Sequence, residues 1–183
     1  QLWGLQQAGV SGTLKHFCGN NQEFHRHCLD SVVSERALRE LYLKCFEIPV
    51  KQAGAYAVMT TYGAVNGMMT AGNYDLVTEI LRHEWGFEGI VMTDWWAGIN
   101  KTPGGESQGT YRAEMVRAQN DLYMVTDDAK AQQTVDNLAS GLADGTVTRG
   151  ELQRCAENIC RVLLRSPVMA RWQENAAVGA VDT

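Results

Sequence analysis

The chain has 183 residues, 45% of them hydrophobic and 20% charged, with a formal net charge of −5. That is an ordinary globular composition with material for one sizeable core. The acidic residues are scattered, so nothing directs the chain to nucleic acid or an anionic membrane, and no apolar run approaches the ~20 residues of a membrane span.

The first residues, Gln1-Leu2-Trp3-Gly4, carry neither a signal pattern nor an initiator Met. A processed product or a piece of a longer protein is therefore expected. Four short β-rich runs follow: Ser11 to Phe17, Ala57 to Tyr62, Gly89 to Thr93 and Asp121 to Val125. Each is apolar enough to be buried, and each precedes a segment of helical periodicity. The first helix is expected from an N-cap at Ser34 through Gln52. Leu38, Leu41, Cys45 and Ile48 would share one face, Pro49 would kink or end it, and Gly54 would stop it. A second starts after Asn73 and ends at Gly86, and a short third spans Tyr111 to Gln119. A fourth covers Asp128 to Ala143. A fifth opens at Thr148, where Glu151 completes a capping box, with Leu152, Cys155, Ile159, Val162 and Leu163 as its apolar stripe.

Strand–helix alternation of this kind implies an α/β fold with a parallel sheet. No GxGxxG or GxxxxGK[ST] is present. Polar chemistry instead recurs at strand ends: Lys15-His16, Thr60 to Tyr62, Thr93-Asp94 and Asn120-Asp121. Reactive side chains at the C-terminal ends of several parallel strands mark a (β/α)8 barrel, which takes ~250 residues. The expected architecture is thus four consecutive βα units, half of such a barrel and a fragment of a larger enzyme, over residues 1–171. Residues 172–183 are small and polar enough for a flexible tail. Half a barrel leaves two strand edges bare, so self-association into a homo-oligomer through those edges is also expected.

Asp94 stands after the buried run "GIVMT" and before Trp95-Trp96. A carboxylate between a strand end and two indoles suits a sugar site, and it equally suits an Asp capping the next loop. Tyr62 ends "AVMTTY" and is placed to reach across a barrel mouth or simply to pack. Lys15 and His16 are neighbours, so they point to opposite faces unless the strand ends there. A metal reading is also open: His16 and Cys18, and His25 and His27, are spaced two apart and would share a face if extended. Zinc takes such ligands, but the tight CxxC or HxxxH spacing of structural sites is missing. The five cysteines, Cys18, Cys28, Cys45, Cys155 and Cys160, form no regular framework. That usage points to free thiols in a reducing, cytoplasmic compartment.

With these residues in view, the chain resembles the glycoside hydrolase family 3 β-glucosidases. "KHFCGNNQE" looks like the family's KHF-x-x-N-x-QE segment, and "SVVSERALRELYLKCFEIPVK" is similar to the helix after it. "VMTTYGAVNG" matches V-M-x-S-Y-N-x-x-N-G. "LVTEILRHEWGFEGIVMTDWW" matches the L-R-x-E-W-G-F-x-G-x-V-x-(S/T)-D-W signature, and "AQNDLYM" resembles A-G-x-D-L-x-M. The resemblance runs from about Gly4 to Arg171. It implies a retaining β-glycosidase acting on a β-glucoside or oligosaccharide, with no cofactor and no metal. Asp94 would be the nucleophile. Lys15 and His16 would bind sugar hydroxyls, Tyr62 would sit by the nucleophile, and Trp95 would line the pocket.

Two departures stand out against the family pattern. Gly63 replaces the usual Asn after the Tyr, and Gln119 replaces a usual Gly. The resemblance also implies that the first half of the barrel and the α/β sandwich domain lie outside this chain, and with them the acid/base Glu. A retaining hydrolase needs two carboxyl groups ~5 Å apart. Of the remaining Glu23, Glu106 and Asp121, none matches the acid/base position, and the piece alone is expected to be inactive.

Overall fold

The computed structural model describes residues 1–124, 136–169 and 171–172. Its strands are β1 Leu14–Phe17, β2 Asp30–Ser31, β3 Ala57–Thr60, β4 Ala64–Val65, β5 Met68–Met69, β6 Ile90–Met92, β7 Ile99–Asn100 and β8 Ser107–Gln108. The α-helices are α1 Leu2–Gln7, α2 Glu35–Ala37, α3 Lys44–Ala53, α4 Arg112–Arg117, α5 Leu138–Asp144 and α6 Arg149–Leu164. Two further helices, Leu38–Tyr42 and Asp75–Glu84, are π-wound.

The fold is α/β. β1, β3 and β6 form a parallel sheet in that order, and the expected fourth run joins it through one parallel bridge, Met92 to Leu122. Parallel neighbours need a crossover of a dozen or more residues, which the helical segments between them supply. β1 pairs with β3 alone, so its other edge is unpaired among the described residues. The short strands β2, β4, β5, β7 and β8 were not expected. They form two small sheets, one of them the β7–β8 hairpin, and at two residues each they are too short to show a period. The expected fourth helix appears as α5. Residues 125–135, which hold its first half and the end of the fourth β-rich run, lie outside the described residues, as do 173–183 of the tail.

Helix boundaries follow local chemistry. Ser34 is extended and its side chain accepts the Ala37 N–H, and Thr148 with Glu151 forms the full capping box of α6. Gly54 ends α3 in the left-handed conformation at φ 61. The apolar face of the first helical segment departs from expectation. Leu41 is 66% and Ile48 45% exposed, and Cys45 is exposed too, while Leu38, Leu43 and Val50 are buried with Phe46 packed against them. The cause is the π-turn: Leu43 N–H bonds Leu38 O five residues back. One extra residue in that turn rotates everything after it, moving the buried series on by one position. Pro49 neither ends nor stops this helix, which continues to Ala53. In α6, Leu163 is 57% exposed, and the stripe is interrupted by buried Asn158.

The larger core cluster gathers Phe17, Cys18, Leu43, Val58, Val77, Leu81 and Val91 under the sheet. Phe17 meets Phe46 and Trp85 edge-on at 5.2 and 6.1 Å. Gly89, at the entry to β6, is packed against the Tyr56 backbone so closely that any Cβ would collide with it. The five cysteines are free. Burial pushes the Cys18 and Cys155 thiols up to about 12. Among the described residues no helix is long and apolar enough to cross a membrane.

One charged pair is fully inside. Arg82 Nη2 donates to Asp121 Oδ2 at 2.6 Å, with side chains 6% and 0% exposed. The same Asp121 oxygen accepts the Val91 N–H at 2.8 Å, and Oδ1 accepts Asn158 Nδ2 at 2.9 Å. Arg82 also donates to the Gln119 and Gly89 carbonyls. Every group on this pair that needs a partner has one, the condition under which a buried ion pair is tolerated. Gln119 presents its carbonyl from a left-handed backbone, φ 60. That conformation accounts for a glycine preference at this turn.

Candidate active site

The site is assembled at the C-terminal ends of β1, β3 and β6. Between Leu14 and Phe17, three residues of β1 advance against two of β3, from Val58 to Thr60. This is a bulge, and bulges re-aim side chains. Lys15 and His16 lie inside it. His16 turns inward, and its Nε2 stands 3.3 Å from Asp94 Oδ2, the two side chains being 22% and 14% exposed. Lys15 is exposed, and it has no hydrogen bond or ion pair among the described residues.

Three groups meet at Asp94, just past β6. The Trp95 N–H donates to Oδ1 at 2.8 Å, His16 Nε2 faces Oδ2, and Tyr62 lies beside the carboxylate. Burial first, and then the Asp94 charge, push the Tyr62 phenol up, so it stays protonated at neutral pH. Asn20 Nδ2 lies 3.4 Å from His16 Nδ1 and donates to Glu23 Oε1 at 3.2 Å. An amide nitrogen can only donate, so Nδ1 accepts and the proton of the neutral ring sits on Nε2, facing Asp94.

The loop after β1 closes this constellation into a ring. Glu23 Oε2 accepts from Arg26 at 3.0 Å, and the Arg26 guanidinium lies 4.8 Å over the Tyr62 ring. His27 packs on that same ring at 4.0 Å. Sequence reasoning gave Glu23 no place in the site and left Arg26 and His27 without roles. Their only signal was proximity to His16 in a polar stretch, since the contact to Tyr62 spans more than thirty residues.

The metal reading does not survive this geometry. Among the described residues no group of three His, Cys, Asp or Glu is placed to hold a metal. Cys18 is sealed in the core, His25 packs on Phe24 at 4.1 Å, His27 covers Tyr62, and His16 faces Asp94. The loop turns between them, with His25 at φ 52, so the two-residue spacing never becomes a shared face. The other carboxylates are engaged elsewhere. Asp121 is locked to Arg82, and Glu106 lies exposed beside the β7–β8 hairpin, accepting from Gln108 at 3.0 Å. Gly63, where the family pattern has Asn, is closely packed: an added Cβ would stand 3.2 Å from the Leu29 carbonyl oxygen, so a neighbour would have to give by a few tenths of an ångström.

The chain is similar to known proteins along most of its length. A β-glucosidase of Ruminococcus albus is 56% identical over all 183 residues, which make up 19% of that protein. An exo-α-(1→6)-L-arabinopyranosidase of Bifidobacterium breve is 41% identical over 144 residues, covering 77% of this chain and 19% of its own length. Among solved structures, a β-glucosidase from Paenibacillus barengoltzii superposes with TM-score 0.88 at 56% identity, over 92% of this chain and 19% of its own. β-Glucosidase 3B from Thermotoga neapolitana, solved with glucose, gives 0.78 at 37% identity, over 93% of this chain and 23% of its own. The chain therefore spans about a fifth of the length of these relatives. The family model described as the glycosyl hydrolase family 3 N-terminal domain matches residues 2–162. With that match over most of its length, the chain belongs to glycosyl hydrolase family 3, within the family's N-terminal domain.

Proposed function

We propose that this chain is the nucleophile-bearing part of a retaining β-glycosidase that hydrolyses β-glucosides or related oligosaccharides, with Asp94 as the nucleophile. The observation that carries the proposal is the Asp94 carboxylate at the end of β6, held by the Trp95 N–H and faced by His16 Nε2 and Tyr62. In the first step an Asp94 oxygen attacks the anomeric carbon. The bond to the leaving oxygen breaks, and that oxygen takes a proton from a general acid. Water then attacks the anomeric carbon, the ester to Asp94 breaks, and the same group receives the water's proton. Tyr62 and His16 stabilise the carboxylate as it departs, while exposed Lys15 is free to meet a sugar hydroxyl.

The general acid and the remaining sugar contacts are assigned to the missing half-barrel and sandwich domain of a longer parent. The chain alone should therefore release no p-nitrophenol from p-nitrophenyl β-glucoside above the buffer rate. Placed in the R. albus β-glucosidase in exchange for its matching segment, it should support turnover. A 2-deoxy-2-fluoroglucosyl fluoride should then label Asp94, as read by peptide mass mapping. A label on any other residue would remove Asp94 from this role.

A second reading rests on the unpaired edge of β1 and the single bridge that holds Leu122. An open parallel edge is a template for another strand. In isolation the chain should self-associate, and light scattering should show a dimer or larger species that dissociates on dilution. A strictly monomeric chain that unfolds cooperatively contradicts this.

A further inference from the structure

An asparagine amide can meet a neighbour with either end, and the two ends are opposite in kind: the nitrogen donates twice and the oxygen accepts. At Asn20 the choice is made by Glu23. A carboxylate only accepts, and Glu23 Oε1 takes one hydrogen of Asn20 Nδ2 at 3.2 Å. The second hydrogen is left for His16 Nδ1 at 3.4 Å. With the amide turned over, its oxygen would stand against the Glu23 carboxylate, acceptor against acceptor.

Glu23 is itself held in place. Its backbone carbonyl accepts the Arg26 N–H at 3.3 Å, closing a turn, and across that turn its Oε2 accepts from Arg26 Nη1 at 3.0 Å. The Glu23 side chain is 66% exposed, and an exposed ion pair of this kind adds little to stability. What the pair fixes is the direction of the Asn20 amide.

That direction matters at His16. A donor at Nδ1 leaves that nitrogen its lone pair, so the ring carries one proton, on Nε2, 3.3 Å from Asp94 Oδ2. An acceptor at Nδ1 would call for a proton there. The ring would then turn a lone pair on Asp94, or hold both protons and pair with it as a cation. The other charged or titratable groups at this end of the sheet are Lys15, Arg26, His27 and Tyr62. Lys15 is exposed, Arg26 bonds Glu23, and His27 packs on the Tyr62 ring.

We propose that Glu23 is a positioning residue for the His16–Asp94 pair: by locking the Asn20 amide it keeps the imidazole neutral, with its proton on Nε2. An imidazolium would hold Asp94 in an ion pair and blunt a carboxylate that must attack carbon, whereas a neutral ring leaves that charge available. This consequence rests on the reading of Asp94 as the nucleophile; the place of the proton does not.

Nitrogen-15 spectra of the histidine rings test the lock in the 183-residue chain, because protonated and lone-pair ring nitrogens resonate far apart. His16 is identified by the signals lost in His16→Gln. At pH 7 the parent should show mainly a protonated Nε2 and a lone-pair Nδ1; a mainly protonated Nδ1 overturns the proposal. Glu23→Ala frees the amide and should raise the fraction protonated at Nδ1 at least about threefold. Asn20→Asp, which presents an acceptor, should raise it as much or more. Glu23→Gln, whose carbonyl still accepts from Asn20, should stay near the parent. No change in Glu23→Ala, or an equal change in Glu23→Gln, overturns the lock. In the segment-exchanged R. albus enzyme, Glu23→Ala should lower kcat roughly tenfold with little change in KM, and Glu23→Gln should restore most of it. An unchanged kcat in Glu23→Ala overturns the positioning role. If the fluoroglucosyl label misses Asp94 while the His16 nitrogens respond to Glu23, only the nucleophile reading fails. If Asp94 is labelled and the nitrogens ignore Glu23, only the lock fails.

Discussion

Asp94→Asn in the segment-exchanged β-glucosidase is expected to lower turnover of p-nitrophenyl β-glucoside by on the order of 10⁴-fold or more. The substitution keeps the shape of the side chain and an oxygen for the Trp95 N–H, which now lies 2.8 Å from Oδ1. It removes the negative charge and the lone-pair donor that must form the glycosyl ester. Circular dichroism and Tm should therefore change little while the rate collapses, which separates chemistry from folding. Asp94→Ala with added azide gives a stereochemical readout. Azide should enter from the face vacated by the carboxylate and displace an activated leaving group, yielding the α-glucosyl azide. Activity within tenfold of the parent, or a product of retained configuration, would contradict the assignment.

Arg82→Ala should destabilise the isolated chain by about 3–5 kcal/mol, because it leaves Asp121 charged and buried without its partner. Asp121 is enclosed with its side chain 0% exposed, and its remaining neighbours are the Val91 N–H, Asn158 and the Cys155 thiol. In a chain of this size such a loss lowers Tm by roughly 6–20 °C, against a total stability of only about 5–15 kcal/mol. Asp121→Asn should be comparably damaging, since Arg82 then keeps its charge with carbonyl partners only. The double variant Arg82→Met, Asp121→Leu should be closer to the parent than the sum of the single changes. Additive losses measured by urea unfolding would show that the pair is not a coupled unit.

These two residues show what a single sequence conveys and what it hides. Asp94 is conspicuous locally, after a buried β-rich run and before two tryptophans. Asp121 looks similar, an acid beside a strand-like run, yet its carboxylate faces Arg82 across 39 positions of chain and is inert. Only the packing of the Asp75–Glu84 helix against the fourth β-rich run tells a catalytic candidate from a structural acid. The same holds for His27. It stands among polar residues with no periodicity, and its contact with Tyr62 depends on how the loop folds back.

Helix ends at Ser34, Thr148 and Gly54 were legible because capping is a contact between residues three or four apart. The order of the parallel strands followed from alternation and from the right connection lengths. The buried face of the first helical segment was not legible. The π-turn over Leu38–Tyr42, closed by the Leu43 N–H on Leu38 O, resets the helical phase, and no residue type announces it.

The sequence by itself therefore determined the α/β alternation, the helix termini at Ser34, Gly54 and Thr148, the motifs of the family and the candidacy of His16, Tyr62 and Asp94. Each depends on neighbours along the chain or on a fixed pattern of residue types. The tertiary structure decided the bulge that turns His16 but not Lys15 toward Asp94, and the ring through Asn20, Glu23, Arg26 and Tyr62. It also decided the sealed Arg82–Asp121 pair. These are contacts between distant segments, fixed by which faces bury together and which polar groups must find partners there. Local propensity carries no record of either.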